Sequence, residues 1–285
     1  MVKLKNLVLI AVFTLFQGCA SHFFQPDKIV YRTPEFYSLK YDDIDFTSKD
    51  GTHLNAWYIH ANIETPKGLI FVAHGNAQNL SAHFVSWVWL LSEGYDIFMF
   101  DYRGYGKSEG STSIKGSVED TVSALDYVDE HYKTPYFVCG QSLGGTMLLN
   151  ALDGRDNSSI KAAIIDSTFI GFADIASDKM SHIWLAWPFQ WVPYLSLTSD
   201  YDAKDKLDIN LPILFLHGSK DQVISPNASW QLYDFSKSPR EFWLVKDSAH
   251  IQALDKKEVQ EDFMQFLRMG RNYYKPNYSS MRIYD

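Results

Sequence analysis

The chain has 285 residues, of which 46% are hydrophobic and 21% charged, and its formal net charge at pH 7 is −8. A chain of this length can bury a sizeable core in one large domain, or at most in two. The negative charge and the absence of a run of lysine and arginine speak against a nucleic-acid partner, because phosphate binding needs a basic face.

The N-terminus has the pattern of an export signal. Two lysines precede LVLIAVFTLF, an apolar run that is too short to span a membrane. Two interpretations of the cleavage site remain open. Gly18 and Ala20 fit a signal-peptidase site, which would give a soluble periplasmic or secreted protein. LFQGCA also resembles a bacterial lipobox in which Cys19 becomes the lipid-modified first residue, although Phe16 departs from the usual leucine.

The lipoprotein resemblance implies a location in the bacterial cell envelope. Ala20 stands after Cys19 where aspartate would favour the inner membrane, so the expected site is the outer membrane, facing the periplasm. The membrane partner would then be reached through the N-terminal lipid. The chain has one other cysteine, Cys139, on a predicted strand, and we expect it to be a buried apolar residue.

Strands alternate with helices after an irregular segment. DIDFTS and HLNAWYI flank a turn at Asp50 and Gly51 and predict a hairpin. The strands predicted after it are 68–74, 96–101, 136–140, 161–166, 212–217 and 241–245. The predicted helices are 81–94, 117–132 with Ser117 as its cap, 143–153, 226–236 and about 252–269. This alternation predicts an α/β fold with a doubly wound, mostly parallel sheet covered on both faces.

Ligands bind such a sheet at the carboxyl ends of its strands, so the polar residues there are the candidates for a site. Ser142 lies in GQSLG, between an apolar strand and a helix, and fits G-x-S-x-G. A nucleophilic serine needs a base, and the base needs an orienting acid. Asp221 and His250 follow later strands, in the chain order expected for a doubly wound hydrolase.

Several motifs in this order resemble the α/β-hydrolase superfamily over roughly residues 40–270. The motifs are HGN, DYRGYGKSEG, GQSLGG, HGSKDQVI and DSAH. HGNAQNL and DYRGYGKSEG are similar to a subgroup described as α/β-hydrolase-domain or prolyl-aminopeptidase-like, which includes membrane-associated depalmitoylases. The resemblance implies a serine hydrolase that cleaves a small acyl ester or thioester through an acyl-enzyme. Two alternatives are an aminopeptidase-like amidase and an inactive binding lipoprotein with a hydrolase fold.

The expected domain organisation follows the same boundaries. The predicted segments are a signal peptide at 1–18, a tether or packing arm at 19–40, a hydrolase domain at 41–270 with a small helical cap at about 167–206, and a polar, peripheral tail at 271–285.

Each catalytic role has a candidate. The imidazole of His250 titrates near neutral pH and can take the proton of Ser142 and return it to the leaving group. Asp221 would orient that imidazole, and Asp166 is the rival acid because some hydrolases carry the acid after the preceding strand. Asp247 belongs more naturally to the loop than to the triad.

The oxyanion hole needs two backbone N–H groups, for which we expect Leu143 and Asn76. His74 and His217 are interpreted as structural. In DYRGYGKS, Tyr102 and Arg103 either bind substrate or stabilise the loop, and the second role is favoured.

The insert carries Trp184, Trp187 and Trp191 at helical spacing, although Pro188 and Pro193 favour two short turns over one helix. These aromatic residues either attach the cap to the sheet or line an acyl pocket, and both interpretations stay open. The histidines are scattered, so no metal site is predicted. GYGKSEG lacks Walker spacing, so no nucleotide or other cofactor is expected.

Overall fold

The computed structural model describes residues 23–273, 275 and 278–285. The strands are β1 (Gln25–Pro26), β2 (Tyr41–Thr47), β3 (His53–Ile59), β4 (Gly68–Ala73), β5 (Ala77–Gln78), β6 (Tyr95–Phe100), β7 (Tyr136–Gln141), β8 (Ile160–Asp166), β9 (Ile213–Gly218), β10 (Arg240–Val245) and β11 (Ser279–Tyr284). The α-helices are α1 (Leu80–His83), α2 (Trp89–Ser92), α3 (Ile114–His131), α4 (Leu143–Leu152), α5 (Phe172–Ser181), α6 (Pro193–Ser196), α7 (Pro226–Phe235) and α8 (Lys257–Tyr273).

Nine of these strands form one sheet, in the order β11-β10-β9-β8-β7-β4-β6-β3-β2. The predicted hairpin is present, since β2 and β3 pair antiparallel, and β3 also pairs antiparallel with β6. The remaining neighbours pair in parallel. The prediction of a doubly wound, mostly parallel sheet is therefore confirmed.

The core lies on both faces of this sheet. Every residue of β4, β6, β7 and β9 is buried. Because successive side chains of a strand point to opposite faces, Leu69 and Phe71 join one apolar cluster while Ile70 and Val72 join the other. The continuous apolar runs in the sequence reflect this double burial. Cys139 is a buried free thiol on β7, as predicted.

Helix α3 begins at Ile114, so the predicted start at Ser117 is wrong. The cap is Ser113, whose hydroxyl accepts the backbone N–H of Gly116 at 3.0 Å. A glycine inside the first turn weakens a helix. The fold needs it there, since a Cβ on Gly116 would lie 2.5 Å from the side chain of Arg103. Tertiary packing therefore outweighs the local preference.

The predicted helix 81–94 is divided into α1, a 3-10 turn at Phe84–Trp87, and α2. Phe84, Trp87 and Leu90 are all fully buried. Side chains three residues apart lie on one side of a 3-10 turn, and this winding aims all three at the core.

The tail differs most from its prediction as a polar, peripheral segment. Ser279–Tyr284 forms the edge strand β11, which pairs in parallel with β10 after the crossover through α8. Tyr284 is buried beneath this edge against Trp243, with ring centroids 5.5 Å apart.

The described part of the predicted arm packs against the domain. Phe24 is buried in the core, and β1 pairs in parallel with β5. The ring of Phe23 contacts Phe169 and Phe172, with centroids 5.7 and 5.3 Å apart. The predicted signal peptide at 1–18 and Cys19 lie outside the described residues.

Candidate active site at the carboxyl ends of the strands

Ser142 occupies a sharp turn between β7 and α4, with φ 54° and ψ −117°. This backbone conformation is strained for a residue with a side chain and is typical of a nucleophile elbow. Glycines on both sides make the turn possible. A Cβ on Gly140 would lie 2.6 Å from the carbonyl oxygen of Gly144, and a Cβ on Gly144 would collide with the carbonyl oxygen of Ala73.

Asp221 and His250 form a hydrogen-bonded pair at the same edge of the sheet. Asp221 follows β9, and His250 lies between β10 and α8. The Nδ1 atom of His250 is 2.7 Å from Oδ2 of Asp221. The other carboxylate oxygen accepts the backbone N–H groups of Val223 and Ile224 at 2.8 and 2.9 Å. Both oxygens of the acid are thus fixed, and one is aimed at the imidazole.

A second histidine holds the same carboxylate. His217 Nε2 lies 3.0 Å from Oδ2 of Asp221, and its Nδ1 lies 2.7 Å from the hydroxyl of Ser229. Burial by itself would raise the pKa of Asp221, but hydrogen bonds from His217, His250 and the Ile224 N–H outweigh it and hold the pKa well below its usual range. Asp221 is therefore ionised at neutral pH and can stabilise an imidazolium.

Asp166 and Ser167 connect the turn at Ser142 to the loop of His250. The N–H of Ser142 donates to the carbonyl of Asp166 at 2.8 Å. The hydroxyl of Ser167 donates to Asp166 Oδ1 at 2.9 Å and accepts the N–H of Ile251 at 3.3 Å. Hydrogen bonds from the end of β8 thereby connect the turn of the proposed nucleophile with the loop of the proposed base.

The carboxylate of Asp166 has partners other than the histidine. It is fully buried and accepts hydrogen bonds from Gln141 Nε2 at 3.0 Å and from the hydroxyl of Ser167. Burial raises the pKa of Asp166. Of the two acids considered from the sequence, Asp221 is the one that contacts His250. Asp247 pairs with Lys220 at the surface instead.

The two predicted oxyanion donors belong to segments beside Ser142. Leu143 is the first residue of α4, and N–H groups in the first turn of a helix have no acceptor within it. Asn76 follows Gly75, where a Cβ would lie 3.7 Å from the Cβ of Ser142. The HGN loop therefore runs past Ser142 at close range.

The N-terminal arm fixes the side chain of Asn76. Its Nδ2 donates to the carbonyl of Phe23 at 2.7 Å, and its Oδ1 accepts the N–H of Gln25 at 2.9 Å. The hydroxyl of Tyr105 donates to the same oxygen at 2.8 Å. Sequence reasoning missed this contact, because an irregular segment gives no periodic signal of where it packs.

His83 is a residue of the site that sequence reasoning missed. Its ring stacks on that of His74 at 5.2 Å, and its Nε2 donates to the carbonyl of Ala77 at 2.8 Å. Burial, and to a smaller extent His74, lowers the pKa of His83 to about 4. The imidazole is neutral at pH 7 and packs against the HGN loop through its contact with His74. The spacing of this histidine inside an apolar helical pattern was its one visible signal.

Tyr102 and Arg103 contact other parts of their own region. The guanidinium of Arg103 is paired with the buried Asp120 and with Asp50, each at 2.8 Å. The hydroxyl of Tyr102 donates to the carbonyl of His74 at 3.0 Å. These contacts favour the loop-stabilising role over substrate binding.

The cap forms the two short turns that its prolines favour, a 3-10 turn at Trp187–Phe189 and helix α6. The exposed fractions of Trp184, Trp187 and Trp191 are 85%, 58% and 56%. Side chains with so much surface in solvent contribute little to attaching the cap to the sheet. Their part in an acyl pocket stays a prediction.

Within residues 23–273, 275 and 278–285, no cluster of three histidine, cysteine or acidic side chains could hold a metal ion. In that part of the chain, no helix combines the length and the apolar character needed to cross a membrane.

The chain is similar to several known proteins. Residues 64–207 match the family described as Hydrolase_4, serine aminopeptidase, S33. The Escherichia coli (strain K12) protein YfhR, named as uncharacterized, is 33% identical over 255 residues, which cover 87% of this chain and 85% of YfhR. The α/β-hydrolase domain-containing protein WAV2 of Arabidopsis thaliana is 31% identical, with 70% of this chain and 68% of WAV2 covered.

Among solved structures, the Pyrococcus furiosus esterase Pf2001 has a similar fold. The TM-score is 0.70 at 22% sequence identity, and the match covers 87% of this chain and 99% of the esterase.

Proposed function

Because the chain belongs to the Hydrolase_4 (serine aminopeptidase, S33) family of α/β hydrolases, we propose that it is a serine hydrolase with Ser142, His250 and Asp221 as its triad. The observation that carries the proposal is the hydrogen-bonded pair of His250 and Asp221, at the sheet edge that also holds the strained turn of Ser142. A turn that only needed small residues would not require an ionised acid and an oriented imidazole nearby.

The proposed reaction has two steps, acylation and deacylation, and His250 accepts and returns the proton in both. His250 takes the proton of the Ser142 hydroxyl while the oxygen attacks the substrate carbonyl. The negative charge on that carbonyl oxygen is stabilised by the N–H groups of Leu143 and Asn76. His250 then protonates the leaving alcohol or thiol, and an acyl-enzyme remains. A water molecule, deprotonated by the same histidine, releases the acid and restores Ser142.

The proposed substrate is a small carboxylic ester or thioester. The esterase with the similar fold supports this class, and the uncharged segment 183–195 of the cap supports an acyl group over a charged peptide. The family description favours a second candidate, an aminopeptidase-like amidase. An amidase of that kind needs an acidic side chain to bind the substrate ammonium, and the two acids of this site, Asp221 and Asp166, are already engaged. Asp221 is held by two histidines, and Asp166 by Gln141 and Ser167.

The proposed location is the bacterial cell envelope, where a lipid on Cys19 would anchor the chain to the outer membrane. LFQGCA after a short apolar run supports this proposal. The alternative remains a soluble periplasmic or secreted protein.

The experiment that tests the triad is labelling of the purified full chain with a fluorophosphonate probe. Only an activated serine reacts, so we expect labelling of the wild type and none of Ser142→Ala. The matched control is Ser92→Ala, which removes an exposed hydroxyl far from the turn and should label like the wild type. A wild type that stays unlabelled while folded would contradict the proposal and favour the inactive binding lipoprotein.

A further inference from the structure

The cap carries an exposed apolar surface without a charge. Eight large apolar side chains in residues 183–195 are each more than half exposed, including Leu185 at 74% and Leu195 at 75%. No lysine, arginine, aspartate, glutamate or histidine occurs in this segment. Single exposed apolar side chains are normal in a soluble protein, whereas a contiguous set of this size marks a binding surface. We call residues 183–195 the cap surface.

The composition of the cap surface fits a lipid bilayer. Three tryptophans and a tyrosine alternate with leucine, isoleucine and phenylalanine in this segment. Tryptophan and tyrosine are enriched where a membrane meets water, because each ring combines an apolar body with one polar atom. A segment free of charge also avoids the cost of moving ionised groups into lipid.

The described N-terminal arm packs against the base of the cap, a few residues after the predicted anchor in the sequence. The described chain begins at Phe23, whose ring packs on Phe172, the first residue of the cap helix α5. Cys19 stands four residues earlier, and an extended segment of that length spans at most about 14 Å. A lipid on Cys19 would therefore hold the base of the cap within about 14 Å of the bilayer.

We propose that the cap surface inserts into the interface of a lipid bilayer and that the enzyme takes acyl esters carried by that bilayer. The second half of this proposal rests on the proposed function, while the first half does not. The net charge of −8 gives the chain no attraction to anionic lipid, so contact through the cap surface should occur on zwitterionic vesicles.

The test uses the intrinsic fluorescence of the cap. The purified full chain is added to phosphatidylcholine vesicles in which brominated acyl chains, which quench tryptophan, replace a fraction of the lipid. Trp184, Trp187 and Trp191 report insertion, whereas Trp57, Trp87 and Trp243 are buried and contribute an unquenched background. We expect wild-type emission to fall in proportion to the brominated fraction.

The disrupting variant combines Leu185→Asp with Leu195→Asp and leaves all three reporting tryptophans in place. Two charges on the cap surface should lower the quenching at least fivefold. The matched control combines Phe36→Asp with Ile283→Asp, which adds the same charge at side chains 76% and 67% exposed elsewhere, and it should be quenched like the wild type. Circular dichroism and urea unfolding of each variant establish that the fold is retained.

Equal quenching of the wild type and the cap variant would overturn the proposal. A second outcome would also overturn it: a wild-type dimer in sedimentation that is absent in the cap variant and that vesicles do not dissociate. The cap surface would then bind a second copy of the chain.

Activity separates the two halves of the proposal. The cap variant should hydrolyse water-soluble p-nitrophenyl acetate at the wild-type rate and lose tenfold or more on an ester embedded in vesicles. An equal loss on both substrates would overturn the delivery role. Quenching of a chain that fluorophosphonate does not label would support membrane contact and contradict only the proposed function.

Discussion

The side-chain amide of Asn76 donates to the backbone carbonyl of Phe23 at 2.7 Å, and this bond ties the loop beside Ser142 to the N-terminal arm. Asn76→Ala removes that bond and the two that its oxygen accepts. We expect a loss of about 1–3 kcal/mol in the free energy of unfolding. We also expect kcat to fall by up to about 10²-fold, because the backbone N–H of the same residue is the proposed oxyanion donor. Urea unfolding and ester kinetics measure the two effects.

The control for this variant is Asn227→Ala, an exposed asparagine on α7. A destabilised Asn76→Ala protein with wild-type kcat would show that these side-chain bonds are not needed to position the backbone N–H of residue 76.

Asp221→Asn should lower kcat by about 10⁴ while leaving KM nearly unchanged. An amide at this position favours the wrong tautomer of His250 and cannot stabilise its charged form. Asp166→Asn is the matched variant, because its carboxylate contacts Gln141 and Ser167 and should affect stability more than kcat. A severe loss of kcat in Asp166→Asn together with a mild one in Asp221→Asn would assign the role of the orienting acid to Asp166.

A series of p-nitrophenyl esters should show rising kcat/KM up to a definite acyl length and a break beyond it. Each methylene that enters an apolar pocket adds roughly 0.8 kcal/mol, about fourfold in kcat/KM, until the pocket is full. An aminoacyl p-nitroanilide should be cleaved more slowly than the best ester. Faster cleavage of the amide, or a flat profile along the series, would favour the aminopeptidase-like alternative.

His83 should make the fold less stable in mild acid. Its pKa is lowered to about 4 by burial, so between about pH 4 and pH 6.5 the unfolded chain binds a proton that the folded chain does not. This contribution to stability is present above pH 6.5 and is lost as the pH falls. The loss from pH 7 to pH 5 amounts to about 2 kcal/mol.

His83→Gln can keep a hydrogen bond to the carbonyl of Ala77 and has no titration, so its stability should change less over this range. The exposed His182→Gln is the control and should follow the wild type. Denaturation at pH 7 and pH 5 gives the comparison, and a His83→Gln protein that also follows the wild type would contradict the assignment.

Cys19→Ser should move the protein from the membrane fraction to the soluble fraction of the cell envelope. Lipid attachment adds about 0.8 kcal/mol of membrane affinity for each buried CH₂ group, so several acyl chains hold a protein firmly. Cys139→Ala, which removes a buried thiol from β7, should not alter the fractionation. If Cys19→Ser stays fully in the membrane fraction, the anchor lies elsewhere in the chain.

The sequence predicted well those parts of the fold that depend on local pattern. Strands buried on both faces appear as apolar runs, and the polar residues after them mark one edge of the sheet. Ser142, Asp221 and His250 could be found in this way because each directly follows a strand or lies in the loop after one. The approach of His250 to Asp221 follows from the order of β9 and β10 in a parallel sheet.

Local pattern failed where distant residues decide the outcome. The position of Gly116 depends on Arg103, and the fixation of Asn76 depends on an arm more than fifty residues earlier in the chain. The three cap tryptophans show a related limit of local pattern. Their spacing predicts that they share one face of a helix, but it does not predict what that face contacts. The strand β11 had a visible signal, since helix α8 followed by MRIY continues the alternation of helix and strand.

The position of β11 also has a consequence for the order in which the protein can be completed during synthesis. Its partner β10 ends at Val245, and the whole of α8 must leave the ribosome before β11 can reach it. Until then one side of β10 presents unpaired N–H and C=O groups to any strand that approaches, which is the property that makes sheet edges prone to aggregation. A nascent chain stalled after α7 and β10 would carry this open edge, and β11 is the strand that covers it.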